Sequence, residues 1–237
     1  MTIRDDCGCG GGRLHRRRFL QLGAGTALGA TFLGASGGLA GAAPRPPRFG
    51  PRIDPYAAYD GQDTCDPTPK PGTVALKNLL LATYPGTVDW GISRDCSSGG
   101  VSEHKEGRAF DWGVPDEAGK RAARNFVTWL LKRDEYGNKD AMARRLGIMY
   151  LIHDGKTWQA WDADAGLKPR DCDPHASYDD CHFQHVHFSL SWDGAYQRTT
   201  WWHPENSRDG ADTRYWQDGA AGRVSGAGEA VPSQLSC

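Results

Sequence analysis

Two short strings in this chain carry side chains that could hold and use a metal ion. They are S-E-H-K-E-G-R-A-F-D-W at Ser102–Trp112 and H-V-H-F-S-L-S-W at His185–Trp192. Together they supply His104, Asp111, His185 and His187. Catalytic zinc sites typically use three protein ligands and leave a fourth position to water. Four such side chains therefore suffice for a three-ligand metal site plus one imidazole for proton transfer, the chemistry of a metallohydrolase. A non-haem iron site also uses two histidines and a carboxylate. There the carboxylate follows the first histidine by two residues, whereas Asp111 follows His104 by seven.

The elements that must position these residues can be read from periodicity. Val186, Phe188, Leu190 and Trp192 alternate with His185, His187, Ser189 and Ser191, the two-residue period of a half-buried strand. Both histidines then point into one space, with an apolar face anchoring the strand behind them. In the first string Ala109 and Asp111 share a face opposite Phe110 and Trp112, and Gly107 and Ala109 let the backbone run close to a metal or substrate.

The pattern S-x-H-x-x-G-x-A-x-D, met by Ser102, His104, Gly107, Ala109 and Asp111, resembles the signature of the zinc D-Ala-D-Ala carboxypeptidases. These belong with lysostaphin-type and hedgehog-type domains in a group sharing an H…D and H-x-H metal arrangement. The likeness in element order extends over roughly 73–202. It implies Zn2+ held by His104, Asp111 and His187, and hydrolysis of amide bonds in peptidoglycan peptides. It also implies that Arg94, just upstream, grips a substrate carboxylate and that Ser102 supports the first ligand by a hydrogen bond. The carboxypeptidase branch carries a glutamate base three residues before the last ligand, and here that position is Gln184. An amide cannot accept the proton. The related endopeptidases instead place a histidine two residues before the ligand, which is His185 here and is assigned the role of base. The competing reading, favoured by Gln184, is a zinc-containing cell-wall binding module without turnover.

The N-terminus predicts where such a site works. His15-Arg16-Arg17-Arg18-Phe19-Leu20-Gln21 resembles a twin-arginine export signal, followed by a Gly/Ala-rich apolar stretch and an A-x-A site at Ala40-Gly41-Ala42. Cleavage leaves a secreted or cell-wall-associated protein with no permanent membrane anchor. Of 28 basic and 29 acidic residues, the signal removes five arginines and two aspartates, leaving a formal charge of −4. Such a balance gives no footprint for nucleic acid, and a monomer is expected. Five cysteines remain after cleavage: Cys65, Cys96, Cys172, Cys181 and Cys237. In an oxidising compartment they pair by default, most simply Cys65 with Cys96 and Cys172 with Cys181, leaving Cys237 without an assigned partner. The alternative for Cys181 is a thiolate ligand beside its neighbouring histidines.

The predicted organisation is a signal at 1–42, a Pro-rich extended linker at 43–71, a metallopeptidase-like domain at 72–205 and a Gly/Ala-rich tail at 206–237. Within the domain, Val74, Leu76, Leu79, Leu80 and Tyr84 fit a short helix. Ala118, Ala122, Phe126, Val127, Leu130 and Leu131 form a second apolar stripe that starts at Pro115-Asp116. A shorter helix around 139–146 stops at Gly147. Ile148–Ile152 and Thr157–Trp161 read as a hairpin about Asp154-Gly155, with His153 beside the turn. Trp201-Trp202 could line a cleft. Helices followed by a small antiparallel sheet give an α+β fold.

Overall fold

The computed structural model describes residues 43–173 and 180–210. The expected signal at 1–42, Cys237 and the rest of 211–237 lie outside the described residues. The architecture is α+β, with one six-stranded antiparallel sheet in the order β1-β2-β6-β3-β4-β5. The strands are β1 (Val88–Asp89), β2 (Ala109–Gly113), β3 (Ile148–His153), β4 (Lys156–Gln159), β5 (Lys168–Pro169) and β6 (His185–Leu190). The helices are α1 (Pro71–Thr83), α2 (Glu117–Leu130), α3 (Ala141–Leu146) and α4 (Trp192–Ala195).

Local chemistry explains the helix ends. Pro71 sits at the start of α1, where its missing N–H costs no intrahelical bond. Asp116 caps α2, its Oδ1 accepting from the Gly119 N–H at 2.7 Å. α3 ends at Gly147, whose φ of 70° is the left-handed conformation of a helix stop. The stripe of α2 buries Ala122, Phe126, Val127 and Leu130 against Leu76, Leu80, Phe110, Trp112, Val186 and Phe188. Phe126 meets Trp112 and Phe188 edge to face, at 5.8 and 5.9 Å. Full burial of such a side chain stabilises by roughly 2–3 kcal/mol.

Three strand expectations are corrected. β6 is buried along its whole length rather than on one face, with Glu103, Tyr150 and His182 against its polar side. Its alternation also stops at Leu190. Ser191 instead caps α4, accepting from the Gly194 N–H at 3.2 Å, and Trp192 enters that helix. The return strand of the hairpin is shorter than its pattern, and Trp161 lies in a 3₁₀ turn over Ala160–Ala165.

The segment 43–70 forms no helix or strand, as its prolines require, but it is packed rather than a free linker. Phe49, Ile53, Tyr56 and Ala57 lie against the core. Buried Asp54 bonds Thr200, and Tyr56 donates to Asp140 at 2.8 Å. The Ser207 hydroxyl accepts from the Gly50 N–H at 2.7 Å. Trp201 is buried and Trp202 packs against the same core, so the Trp pair supports the interior rather than a cleft.

Two disulfides, Cys65–Cys96 and Cys172–Cys181, are formed, with Cα separations of 6.0 and 5.3 Å. Such bridges persist in oxidising, extracytoplasmic surroundings. Among the described residues no helix is long and apolar enough to cross a membrane. The pairing of Cys181 removes it as a thiolate ligand.

Inside the first string, charges that look like surface residues are structural. Arg108 and Glu106 are fully buried and paired at 2.7 Å. Arg108 also donates to the carbonyls of Asp60 and Leu190, and the other Glu106 oxygen accepts from Asp63 and Thr64. This network ties the belt at 60–64 to β2 and β6. Between them Gly107 adopts φ of 64°, and an added Cβ would lie 2.0 Å from the Thr68 carbonyl oxygen. The close approach that glycine permits is therefore to Thr68 of the belt. Gly107→Ala is expected to destabilise the fold by at least about 2 kcal/mol, measured by urea unfolding; a change within about 0.5 kcal/mol would contradict this account.

Candidate metal centre

The pairing of β2 with β6 sets Asp111 directly opposite His187. His104 arrives from the 3₁₀ turn Glu103–Glu106, which precedes β2. One donor atom from each of the three lies within 4.8 Å of the others, a set that could hold a metal ion. His104 Nε2 is 3.2 Å from Asp111 Oδ2 and 3.3 Å from His187 Nδ1, and that Nδ1 is 2.9 Å from Asp111 Oδ1.

The far side of each imidazole fixes which nitrogen faces inward. His104 Nδ1–H donates to the Ile92 carbonyl at 2.7 Å, which turns the Nε2 lone pair toward Asp111. The Nε2 of His187 lies 3.0 Å from Ser189 Oγ, which lies 3.2 Å from Glu103 Oε2. Tyr150 donates to the same Glu103 oxygen at 2.6 Å. The Ser189 hydroxyl spends its one proton on Glu103, so toward His187 its oxygen accepts and the Nε2–H of His187 donates. This relay leaves Nδ1 of His187 as an acceptor. Two ring lone pairs and a carboxylate thus converge, and a cation is the partner that such a set takes. For a tetrahedral metal with bonds near ~2.05 Å, ligand atoms lie about 3.3 Å apart, close to the observed spacings.

Burial alone would raise the Asp111 carboxyl, but when the facing nitrogens of His104 and His187 carry a proton they hold it well below the usual carboxylate range. Burial, then the nearby Glu103 charge, pushes the Tyr150 phenol up, so it remains a donor. Tyr150 also stacks on His187, with ring centroids 5.5 Å apart.

The remaining expected residues fall around this core. His185 is buried beside the triad, its Nε2 3.8 Å from Asp111 Oδ1, with Trp90 packed against its ring at 5.3 Å. Arg94 is exposed; its backbone N–H holds the His104 carbonyl at 3.1 Å. Ser102 opens the 3₁₀ turn, its N–H donating to Gln62 and its carbonyl accepting from Lys105. The bond that orients His104 comes from Ile92. Gln184 is pinned by its carbonyl, which accepts from Val114 at 2.7 Å. His153 is buried away from the triad, with Nδ1 3.0 Å from the His185 carbonyl oxygen.

Sequence reasoning missed Glu103, Tyr150 and His182. The cue for Glu103 was its place directly beside a ligand, although Lys105, Glu106 and Arg108 in the same string look equally solvated. His182 follows the bridged Cys181 at φ of 56°, and its ring lies 4.3 Å from His185 and 5.9 Å from His187. Burial, then the His185 charge, lowers its pKa to about 4.

Residues 65–177 match the family model of the VldE C-terminal domain. That span contains His104 and Asp111 and ends before the H-x-H strand. No curated protein and no solved structure matches the chain.

Two outcomes follow from this geometry. Ser189→Ala and Glu103→Gln should each weaken zinc binding by roughly 10–100-fold in chelator competition, while circular dichroism stays unchanged; unaltered affinity would remove the relay from the site. The low pKa of His182 has a defined sign. The folded state resists a proton that the unfolded chain accepts near 6.5, so this contribution is complete above 6.5 and is lost as pH falls toward 4. The stability difference between wild type and His182→Gln should change across that window, and the His182 ring should titrate near pH 4 by NMR. A midpoint near 6.5 would contradict the assigned burial.

Proposed function

We propose that this chain is a secreted zinc-dependent peptidase that hydrolyses amide bonds in peptidoglycan peptides. The observation that carries the reading is a fourth imidazole, His185, packed against a two-histidine, one-carboxylate set but outside it. The metal, when bound, supplies a Lewis acid for the scissile carbonyl and lowers the pKa of a water to about 7. His104, Asp111 and His187 hold it. His185 Nε2, on the Asp111 side of the group, receives the proton from the attacking nucleophile and returns it to the departing amine. Trp90 shields the ring of His185 from bulk water on one side, and His182, which stays neutral at physiological pH, covers another. Arg94 is joined through its backbone N–H to the turn that carries His104, and its exposed guanidinium is assigned to grip a substrate carboxylate.

Several independent features support this reading. The Ser102–Asp111 string resembles that of zinc D-Ala-D-Ala carboxypeptidases, and the two disulfides fit an extracytoplasmic location. Export by the twin-arginine route rests on the Arg16-Arg17 signal sequence. Gln184 favours a second reading, a wall-binding module that keeps the metal for structure, since the amide at that position cannot act as a base.

The test is release of peptide from purified cell-wall sacculi by the zinc-loaded protein. His185→Ala should lower the rate at least ~100-fold with one metal still bound per chain, whereas Asp111→Ala should lose both metal and activity. Peptide release undiminished in His185→Ala would remove His185 from the mechanism. A metal-loaded wild type that releases nothing would favour the binding module.

A further inference from the structure

An open groove of about 650 Å³ lies over β3 and β4, and Tyr150 in its lining is its link to the metal centre. Tyr150 belongs to both regions. It stacks on His187, and it meets Trp161 edge-on with centroids 6.0 Å apart. Trp161 in turn tilts against Tyr59 at 4.8 Å. Tyr59 and Trp161 are 59 % and 39 % exposed, although both are large rings that a core would normally take up. Two ring faces thus stand in solvent, one ring removed from a metal ligand.

The polar groups of the groove sort by whether they are already engaged. The Tyr150 hydroxyl is given to Glu103, and the Thr157 hydroxyl to the Leu151 carbonyl at 3.1 Å. The groove is also lined by the Gln159 amide, the Asp171 carboxylate and Arg170. Arg170 is steadied by Asp180, one guanidinium nitrogen lying 3.1 Å from its carboxylate. A ligand fitting this surface needs an apolar face for the two rings and neutral donors and acceptors around its edge. A phosphodiester does not match, because the single cation is already paired and a carboxylate sits beside it. An aliphatic side chain does not match either, since the groove is open and about half polar.

We propose that this groove is a saccharide subsite that stacks a pyranose ring on Trp161 and Tyr59. A pyranose presents C–H bonds on its faces and hydroxyl or acetamido groups at its equator, the distribution that the groove complements. The inference rests on the peptidase reading for its biological sense: a peptide entering the metal centre would carry its glycan along β3 and β4. Specificity then comes from a contact outside the reacting amide, and substrates with the sugar attached bind more tightly than the bare peptide.

The test is titration of the zinc-loaded full chain with chitotriose, a β-1,4-linked N-acetylglucosamine trimer that carries no peptide, followed by calorimetry. Wild type should bind it, Trp161→Ala and Tyr59→Ala should each weaken binding by about tenfold, and Trp161→Phe should retain it within about threefold. Tyr196→Ala, which removes an exposed ring outside the groove lining, should leave affinity unchanged. Absence of binding by wild type, or wild-type affinity in Trp161→Ala and Tyr59→Ala, would overturn the subsite. Because no bond is broken in this experiment, its outcome is independent of peptide release from sacculi, and either claim can fail alone.

Discussion

The register between β2 and β6 is the constraint on which the site depends. In an antiparallel pair each residue faces one partner, and here Asp111 faces His187 while Ala109 faces Ser189. A slip of one residue would turn the carboxylate toward α2 and bring Phe110 or Trp112 to the histidine face. The apolar positions forbid that slip. Phe110, Trp112, Val186 and Phe188 are all buried against α1 and α2, so any shift would expose large rings or bury charge. Packing on one face of the sheet thereby sets geometry on the other.

The Glu103–Arg108 stretch does the complementary job of bringing His104 to the sheet. Six consecutive residues, two of them acidic (Glu103, Glu106) and two basic (Lys105, Arg108), are almost completely removed from solvent. Burial of that kind is costly unless each group is paired and hydrogen-bonded. Lys105 Nζ closes the 98–100 loop by bonding the Ser98 and Gly100 carbonyls, and Glu106 with Arg108 holds the belt. Glu103 differs, since its two side-chain hydrogen-bond donors are the hydroxyls of Tyr150 and Ser189. Its charge is directed through Ser189 to the ring of His187, where a cation would compensate it. Structural and functional carboxylates thus stand three residues apart in one short turn.

Much of this was legible in the sequence, and the reasons are physical. The alternation around His185–Leu190 separates the apolar face from the histidine face, and the stripe of α2 reports burial on one side, which periodicity records directly. Asp116 and Gly147 mark helix ends because their backbone roles demand those residue types. The two disulfides followed from proximity along the chain. Other features depend on distant partners and leave no local trace. Glu103 and Glu106 look like solvated acids until Tyr150 and Arg108 are placed beside them. The belt at 43–70 reads as a linker because prolines suppress periodicity, while its few anchors, Phe49, Ile53 and Tyr56, are too sparse to show a pattern. Ser191 and Trp192 prolong the strand alternation by coincidence; the Ser191–Gly194 cap was the signal that the strand had ended. The Tyr59–Trp161 pair joins residues about a hundred positions apart, beyond any reading of spacing.

The central claim is that His104, Asp111 and His187 bind one zinc ion through two nitrogens and one oxygen, with His185 left beside it. X-ray absorption at the zinc edge, on protein loaded with one equivalent, tests this most directly. The account predicts a four-coordinate, nitrogen/oxygen-only shell with two imidazoles, unchanged in His185→Ala and losing one imidazole in His104→Ala. A shell containing sulfur, or one that loses an imidazole in His185→Ala, would contradict it.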